Sequence, residues 1–461
     1  MSTNNKPRVL IVGGGLGGLM LGGLLERSGV PYTIFERVAK AKPVGAGMLI
    51  GPGLLPTFQQ LGIYDEFLAI GKKLYRTNNY KESLEKYKPT DTTPIEDFTG
   101  YLHYVVARPA LYDLLLKLVP ANKIHFGKRV LNIAEKDDIV SVHTSDNGVY
   151  EGDIVVGADG AYSAVRQRLY AKMKSEGTLP PEDYDELPFS CTCLVGQTRP
   201  LDPEEFPIVN VPDSQFFTVH GHNKPFTWSV LSTSQRTLCW FVTNQLDKQA
   251  GKEAAQQRFR NNENSCWGDI PTQSMCDETR NFVLELNDGK KRTMGDLYDL
   301  TPKEFTSKVM FEEKVFKTWY HRRYVLIGDG AITAMHDAMA LANLIYAMPA
   351  RTSEDITRIF EEYKRERYPA AVDCYKNSKM MGKLIDSGFA GTFSLFLMTK
   401  MPQWMWRLVL AQTVKFRPQI GFLEPVAIKG SVMPVPSPSE KKARAVFEKH
   451  QQRSQHATVT I

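Results

Sequence analysis

The sequence predicts an α/β fold: a dinucleotide-binding domain on a parallel sheet, a mainly antiparallel β domain inserted into it, and a helical C-terminal region. Three observations carry this prediction. Glycines at fixed spacing follow a short apolar run near the N-terminus; strand-like runs broken by Pro, Asn and Asp fill the middle; apolar strand-then-helix patterning resumes at Tyr324. With 461 residues, 42% hydrophobic and 23% charged, the chain has material for two or three structural units.

Taken in order, Val9 to Val12 is a β-branched strand, Leu16 to Arg27 a helix closed by Ser28 and Gly29, and Tyr32 to Phe35 a second strand. Leu102 to Val106 reads as a strand, Pro109 opens a helix to Leu118, and Ile124 to Phe126 returns to strand. Asp153 to Val156 is a buried strand closed by a glycine turn. Phe189 to Val195, Gln215 to His220, Thr227 to Ser232 and Thr237 to Val242 are the strands of the inserted sheet. Phe216, Phe217, Phe226, Trp228 and Trp240 in this sheet are expected to wall a cavity, although alternating aromatics equally describe a core. Tyr324 to Ile327 is again a buried strand, Ala331 to Ala347 a helix, and Glu354 to Leu384 a charged amphipathic helical region interrupted by Pro369. The units expected are 1–180 and 311–388 for the first domain and its return, 181–310 for the inserted sheet, 389–430 for an apolar helical region and 431–461 for a flexible tail.

The net charge of +6 is modest and its cations are scattered outside Lys441 to Arg453, so nucleic acid is not indicated. Six cysteines, Cys191, Cys193, Cys239, Cys266, Cys276 and Cys374, lack CxxC pairing and read as reduced thiols; an intracellular chain, cytoplasmic or peripherally membrane-associated, is expected. Val9 to Leu25 is apolar enough to imitate a signal-peptide core, but such a core does not explain its glycine spacing. From Phe389 to Val414 apolar and aromatic residues dominate, yet Lys400, Pro402 and Arg407 break any transmembrane run. A helical pair docked on the body and a peripheral membrane contact through 389–414 are the two readings of that stretch.

Gly13, Gly15 and Gly18 satisfy GxGxxG directly after a strand and at a helix start. The first permits the tight turn, the second lets the backbone approach a pyrophosphate, and the third allows close helix-to-strand packing. Unpaired N–H groups and the positive helix end then face the phosphates. Glu36, eighteen residues after Gly18, ends the second strand, where a carboxylate accepts hydrogen bonds from ribose hydroxyls and disfavours a 2′-phosphate. Two further segments place aspartates after buried strands, where a carboxylate needs a partner: Gly157 to Arg166, reading GADGAYSAVR, and Tyr324 to Asp329, reading YVLIGD. Asp159 and Asp329 otherwise serve as simple caps of turns or helices.

Over about Arg8 to Gly430 these motifs resemble the FAD-dependent monooxygenases of the aromatic-hydroxylase type, and most of all the fungal epoxidases and hydroxylases acting on large apolar substrates. The resemblance implies a Rossmann-like FAD-binding domain. It implies that Asp159 and Gly160 lie near the pyrophosphate, that Asp329 binds the ribityl chain, and that Arg108 contacts FAD. Gly45 and Gly47 match the loop where the family's backbone approaches the flavin; Arg37, beside Glu36, and Ala331, after Asp329, belong to the same implied site. It further implies NADH or NADPH as transient electron donor, O2 as co-substrate, a flavin hydroperoxide, and hydroxylation or epoxidation of an apolar small molecule. No protein nucleophile is required, and the sequence has no GxSxG, HExxH or metal-type cysteine pairing; His336 reads as a packed or solvated residue.

One departure stands out. The family continues from GD through a proline-containing, glycine-rich loop, whereas this chain runs from Gly328-Asp329-Gly330 straight into Ala331 to Ala338. A flavin-binding homologue with impaired or no oxygen transfer is therefore the alternative reading.

Overall fold

The computed structural model describes residues 6–40, 47–87, 89–161, 163–184, 189–221, 224–246, 249, 251, 269–312, 314–328, 330–385 and 401–459. In chain order these include β1 (Val9–Val12), α1 (Leu16–Ser28), β2 (Tyr32–Phe35), β3 (Gly47–Ile50), α2 (Leu55–Leu61), α3 (Tyr64–Ile70), β4 (Lys72–Leu74), β5 (Arg76–Lys81), β6 (Thr90–Asp91), α4 (Pro94–Thr99), β7 (His103–Ala107) and α5 (Arg108–Leu116). There follow β8 (Ile124–His125), β9 (Val130–Lys136), β10 (Ile139–Thr144), β11 (Val149–Gly152), β12 (Ile154–Gly157), α6 (Ala164–Ser175), β13 (Phe189–Gln197), β14 (Phe216–His220), β15 (Phe226–Ser232), β16 (Leu238–Gln245) and α7 (Asp269–Thr279). The chain closes with β17 (Val283–Leu284), β18 (Arg292–Thr293), α8 (Met294–Asp299), β19 (Ser307–Glu312), β20 (Tyr320–His321), β21 (Tyr324–Leu326), α9 (Ala331–Tyr346), α10 (Ser353–Ile385), α11 (Gln403–Thr413) and α12 (Pro438–Val459).

The first sheet has the order β20-β21-β12-β1-β2-β8 and is parallel except at β20. Its central strands are apolar at every position because both faces are covered, as parallel strands require. Val9, Ile11, Ile34, Ile154, Val156 and Val325 pack beneath α1, α5 and α9. Leu10, Val12, Phe35 and Val155 pack on the other side against Val165, Leu169 and Met173 of α6 and Val140 and Val142 of β10.

A seven-stranded sheet forms the second layer, in the order β19-β13-β16-β15-β14-β5-β6. It is antiparallel apart from the parallel pairing of β5 with β14, so residues 76–91 reach it from within the first domain. Its outer face, with Phe217, Trp228, Trp240 and Phe226, packs on α7 and α8. Its inner face, with Leu231, Cys239, Phe216 and Phe241, meets Leu49, Leu74 and Val105 of a small sheet ordered β3-β7-β4. Of the five aromatics singled out by pattern, only Phe216 turns to this inner side.

Two expectations are corrected. Pro369 does not interrupt α10, which runs unbroken from Ser353 to Ile385. The proline lies on the exposed side, where water can take up the carbonyl left without a donor one turn earlier. Nor are the described residues 431–459 of the expected flexible tail without structure: Pro438–Val459 is helical, with Ala443 fully buried and Phe447 against the main core. Its start is a capping box, since Glu440 N–H donates to Ser437 Oγ at 3.2 Å and Ser437 N–H to Glu440 Oε2 at 3.4 Å. Pro438 occupies the first turn, where its missing N–H costs nothing. Cys193, Cys239, Cys276 and Cys374 are free thiols, Cys191 is buried, and Cys266 lies outside the described residues.

Candidate cofactor site

The parallel register brings the motifs to one sheet edge. Val12 pairs with Phe35 on one side and Gly157 on the other, and Gly157 pairs with Leu326. The residues that follow each strand, Gly13, Glu36, Ala158 and Ile327, therefore leave the sheet together at its carboxyl end, where open α/β sheets bind ligands.

Each glycine of the first motif has a separate cause. Gly13 adopts φ +111°, and a Cβ there would overlap the carbonyl of Ala158, so the first turn and the GADG segment touch. A Cβ on Gly18 would overlap the Gly13 carbonyl, which is the close helix-to-strand packing expected. No described residue comes within 4 Å of the Cβ position at Gly15, so the backbone is open there. Gly17 sets α1 against the start of α9, since its Cβ position is 2.8 Å from Ala334 Cβ and 2.9 Å from Ile327 Cδ1. No side chain caps α1, so its first N–H groups point toward that open face.

Glu36 is held in place before any ligand arrives. Gly14 N–H donates to its Oε2 at 2.7 Å and Val38 N–H to its Oε1 at 3.0 Å. Each carboxylate oxygen keeps acceptor capacity for a second donor. Tyr112, one turn into α5, lies in the field of Glu36 and Arg108; burial first, then Glu36, pushes its hydroxyl up to about 12. Arg108 is the first residue of α5, exposed on the Glu36 side of the site, and Arg37 is exposed beside Glu36.

Asp159 is hydrogen-bonded within the chain. Ser163 Oγ–H donates to Oδ1 at 2.5 Å, and the N–H groups of Ala164 and Val165 donate to Oδ2 at 2.6 and 3.3 Å. The carboxylate caps α6, whose Ser163 in turn accepts from Arg166 N–H at 2.9 Å. Burial raises the Asp159 pKa against those hydrogen bonds. Gly160 takes φ +79° with no described residue within 4 Å of its Cβ position, so the bend is open on that side.

Gly47 is also placed for packing: a Cβ there would overlap Leu231 Cδ1, which locks β3 to the second sheet. Gly45 and Asp329 lie outside the described residues. α9 begins at Ala331 with Gly330 as its N-cap and no side-chain cap, and β21 ends at Leu326.

Sequence reasoning missed the group that fixes this junction. Asp337 and Arg367, 0% and 3% exposed, form an ion pair at 2.7 Å, and Asp337 Oδ2 accepts from Gly328 N–H at 2.9 Å. Tyr363 donates to Leu326 O at 3.1 Å. An acid inside an otherwise apolar helix, AMHDAMALANLIYA, was the available signal.

His336 is packed, as its pattern suggested: Nε2–H donates to Gly53 O at 3.2 Å and the ring stands edge-on to Phe416. Desolvation and then Arg367 lower its pKa to about 4. His103, on β7, presses against Gly51 and is lowered to about 4 by desolvation. Two neutral imidazoles thus grip the Gly51-Pro52-Gly53 turn between β3 and α2.

Comparison with known proteins agrees with this geometry. Residues 6–258 match the family described as FAD binding domain. The FAD-dependent monooxygenase ptmM of Penicillium ochrochloron is 26% identical over 404 residues, covering 82% of this chain and 88% of that protein. The FAD-dependent monooxygenase paxM of Penicillium paxilli is 27% identical over 408 residues, covering 81% and 78%. Among solved structures, Klebsiella pneumoniae HpxO complexed with FAD and uric acid superposes with a TM-score of 0.66 at 20% identity, over 88% of this chain and 96% of that one. CtdE in complex with FAD and a substrate gives a TM-score of 0.64 at 15% identity, over 89% and 98%.

Proposed function

Because the chain belongs to the FAD binding domain family, we propose that it is a monooxygenase that holds FAD and uses NADH or NADPH and O2 to hydroxylate or epoxidise an apolar small molecule. The observation that carries the reading is the open face at Gly15, framed by the uncapped start of α1, the fixed carboxylate of Glu36 and the Gly160 bend.

When bound, FAD supplies electron transfer from the nicotinamide to dioxygen and delivery of one oxygen atom to the substrate. The chain binds, orients and excludes water. Gly13, Gly15 and Gly18 hold the turn at which N–H groups of α1 meet the pyrophosphate, and Glu36 accepts from the ribose, with Arg37 and Arg108 flanking it. Asp159 acts through α6, keeping Gly160 and the GADG bend in position. Asp337 fixes Gly328 just past the end of β21; Asp329 and Ala331, which follow it in sequence, are assigned to the ribityl and ring end of FAD. On the inner face of the second sheet, the partly buried Phe216 and Phe241 would border an apolar substrate, beside the packed Leu231 and Cys239.

The test is to purify the protein, record its flavin absorbance, and follow NADH- and NADPH-dependent oxygen uptake with candidate apolar substrates. Bound flavin with coupled product formation is the expected result. Stable protein free of flavin overturns the reading; tight flavin with peroxide release and no product overturns its oxygen-transfer part.

A further inference from the structure

Of the fourteen large apolar side chains most exposed among the described residues, eight lie between 404 and 435. Trp404, Met405, Leu408 and Val409 are 64, 40, 59 and 43% exposed. Their i, i+1, i+4, i+5 spacing puts them on one face of α11. The opposite face is occupied: Trp406, Leu410 and Val414 pack with Ile95 and Phe98 of α4, and Trp406 Nε1–H donates to Asp91 O at 2.7 Å. α11 is thus anchored to the body, with its apolar side turned to solvent.

A second segment continues the patch. Val435 N–H donates to Lys415 O at 3.0 Å, and the buried Arg417 guanidinium donates to Val414 O and Val432 O. Met433 and Val435, on this tied segment, are 65 and 58% exposed. Stretches 401–418 and 428–435 carry Arg407, Lys415, Arg417 and Lys429 and no Asp or Glu. With Arg417 used internally, Arg407, Lys415 and Lys429 remain on these segments, Lys415 and Lys429 next in sequence to the exposed Phe416 and Ile428. Asp97 on α4, 3.7 Å from Arg407, is the acid that faces it and marks the side turned to water.

We propose that this face docks on the surface of an anionic phospholipid bilayer. A contiguous, solvent-facing apolar surface of this kind is uncommon on soluble proteins and marks an interaction site. A helix with an apolar face, an exposed tryptophan and cationic flanks lies in the lipid interface, apolar side chains among the acyl chains and cations at the headgroups. No helix among the described residues is long and apolar enough to span a membrane. Asp91 belongs to β6, at the edge of the seven-stranded sheet, so docking here sets the second domain beside the bilayer, where apolar compounds partition.

The full-length protein is floated with phosphatidylcholine vesicles and with vesicles containing phosphatidylserine, at low and high salt. Binding is expected to favour the phosphatidylserine vesicles, to weaken in salt, and to quench Trp404 with brominated lipid. The double variant Trp404→Ser, Leu408→Ser is expected to lose on the order of tenfold or more in partitioning. Melting temperature and flavin content stay unchanged, because both side chains stand more than half exposed. Failure of the wild type to bind either vesicle overturns the proposal, as does equal binding by the double variant. Concentration-dependent self-association that the double variant abolishes, without vesicle binding, assigns the face to a second copy of the chain instead.

Discussion

Acidification should loosen the turn at Gly51 to Gly53 before it unfolds the rest of the protein. His336 and His103 are each lowered to about 4 from 6.5, mainly because burial penalises the charged imidazole. The unfolded chain therefore binds more protons than the folded one between those values. The stabilisation is complete above about pH 6.5 and is lost as pH falls toward 4. With those two values, lowering the solution from about pH 7 to about pH 5 removes about 2 kcal/mol for each histidine. Urea titrations read by tryptophan fluorescence at both pH values measure the loss. His336→Gln, which keeps a donor for the Gly53 carbonyl, and His103→Gln should each lose about 2 kcal/mol less than wild type over that interval, and the double variant about 4. Carboxylates that titrate in the same range contribute equally to all four proteins and cancel. Acid losses that are identical in variant and wild type would refute the reasoning, and with it the claim that the turn is held by neutral rings.

Gly13→Ala and Gly15→Ala should separate fold from ligand binding: the first strains a φ of +111° and strikes Ala158 O, lowering the melting temperature, whereas the second leaves it within a degree or two while the ratio of flavin to protein absorbance falls. Asp337→Ala strands the buried Arg367 charge and should cost about 3–5 kcal/mol in chemical denaturation; adding Arg367→Met should recover part of the loss, which a merely additive double variant would contradict. Glu36→Gln should weaken flavin affinity roughly tenfold in equilibrium titration and cost the flavin-free protein about 1 kcal/mol, since the amide can accept from Gly14 N–H or Val38 N–H but not from both. Ser163→Ala removes the cap of α6 and a donor to Asp159, costing about 1 kcal/mol in urea, and the GADG bend should become more accessible to hydrogen exchange.

The nucleotide end was legible because its determinants are local: strand, glycine turn, helix and acid lie within thirty residues, each marked by residue type. The seven-stranded sheet was legible only in part. Arg76 to Lys81, reading RTNNYK, is polar and half-buried, and its parallel partner β14 lies more than a hundred residues away, so nothing near it marks a strand. Asp159 shows a second limit: a carboxylate after a buried strand must find donors, but sequence does not say whether these come from a ligand or from the next helix, and here they come from α6. The terminal helix shows the reverse, a signal present and passed over. Ser437-Pro438-Ser439-Glu440 spells a helix start, yet the charge and proline content around it suggested disorder.

The β5–β14 pairing and the place of β21 beside β12 carry a cost at the ribosome. The parallel sheet cannot close until β21 has emerged, 314 residues after the end of β1. At ordinary synthesis rates that interval is roughly 15 to 60 s, and once β12 has paired with β1 its outer edge stays open for the rest of it. The nascent nucleotide-binding unit therefore waits, apolar and incomplete, for a strand from the far side of the intervening domain. Yield in a foreign host should respond more to chaperone supply and slower growth temperature than to anything done to the cofactor site.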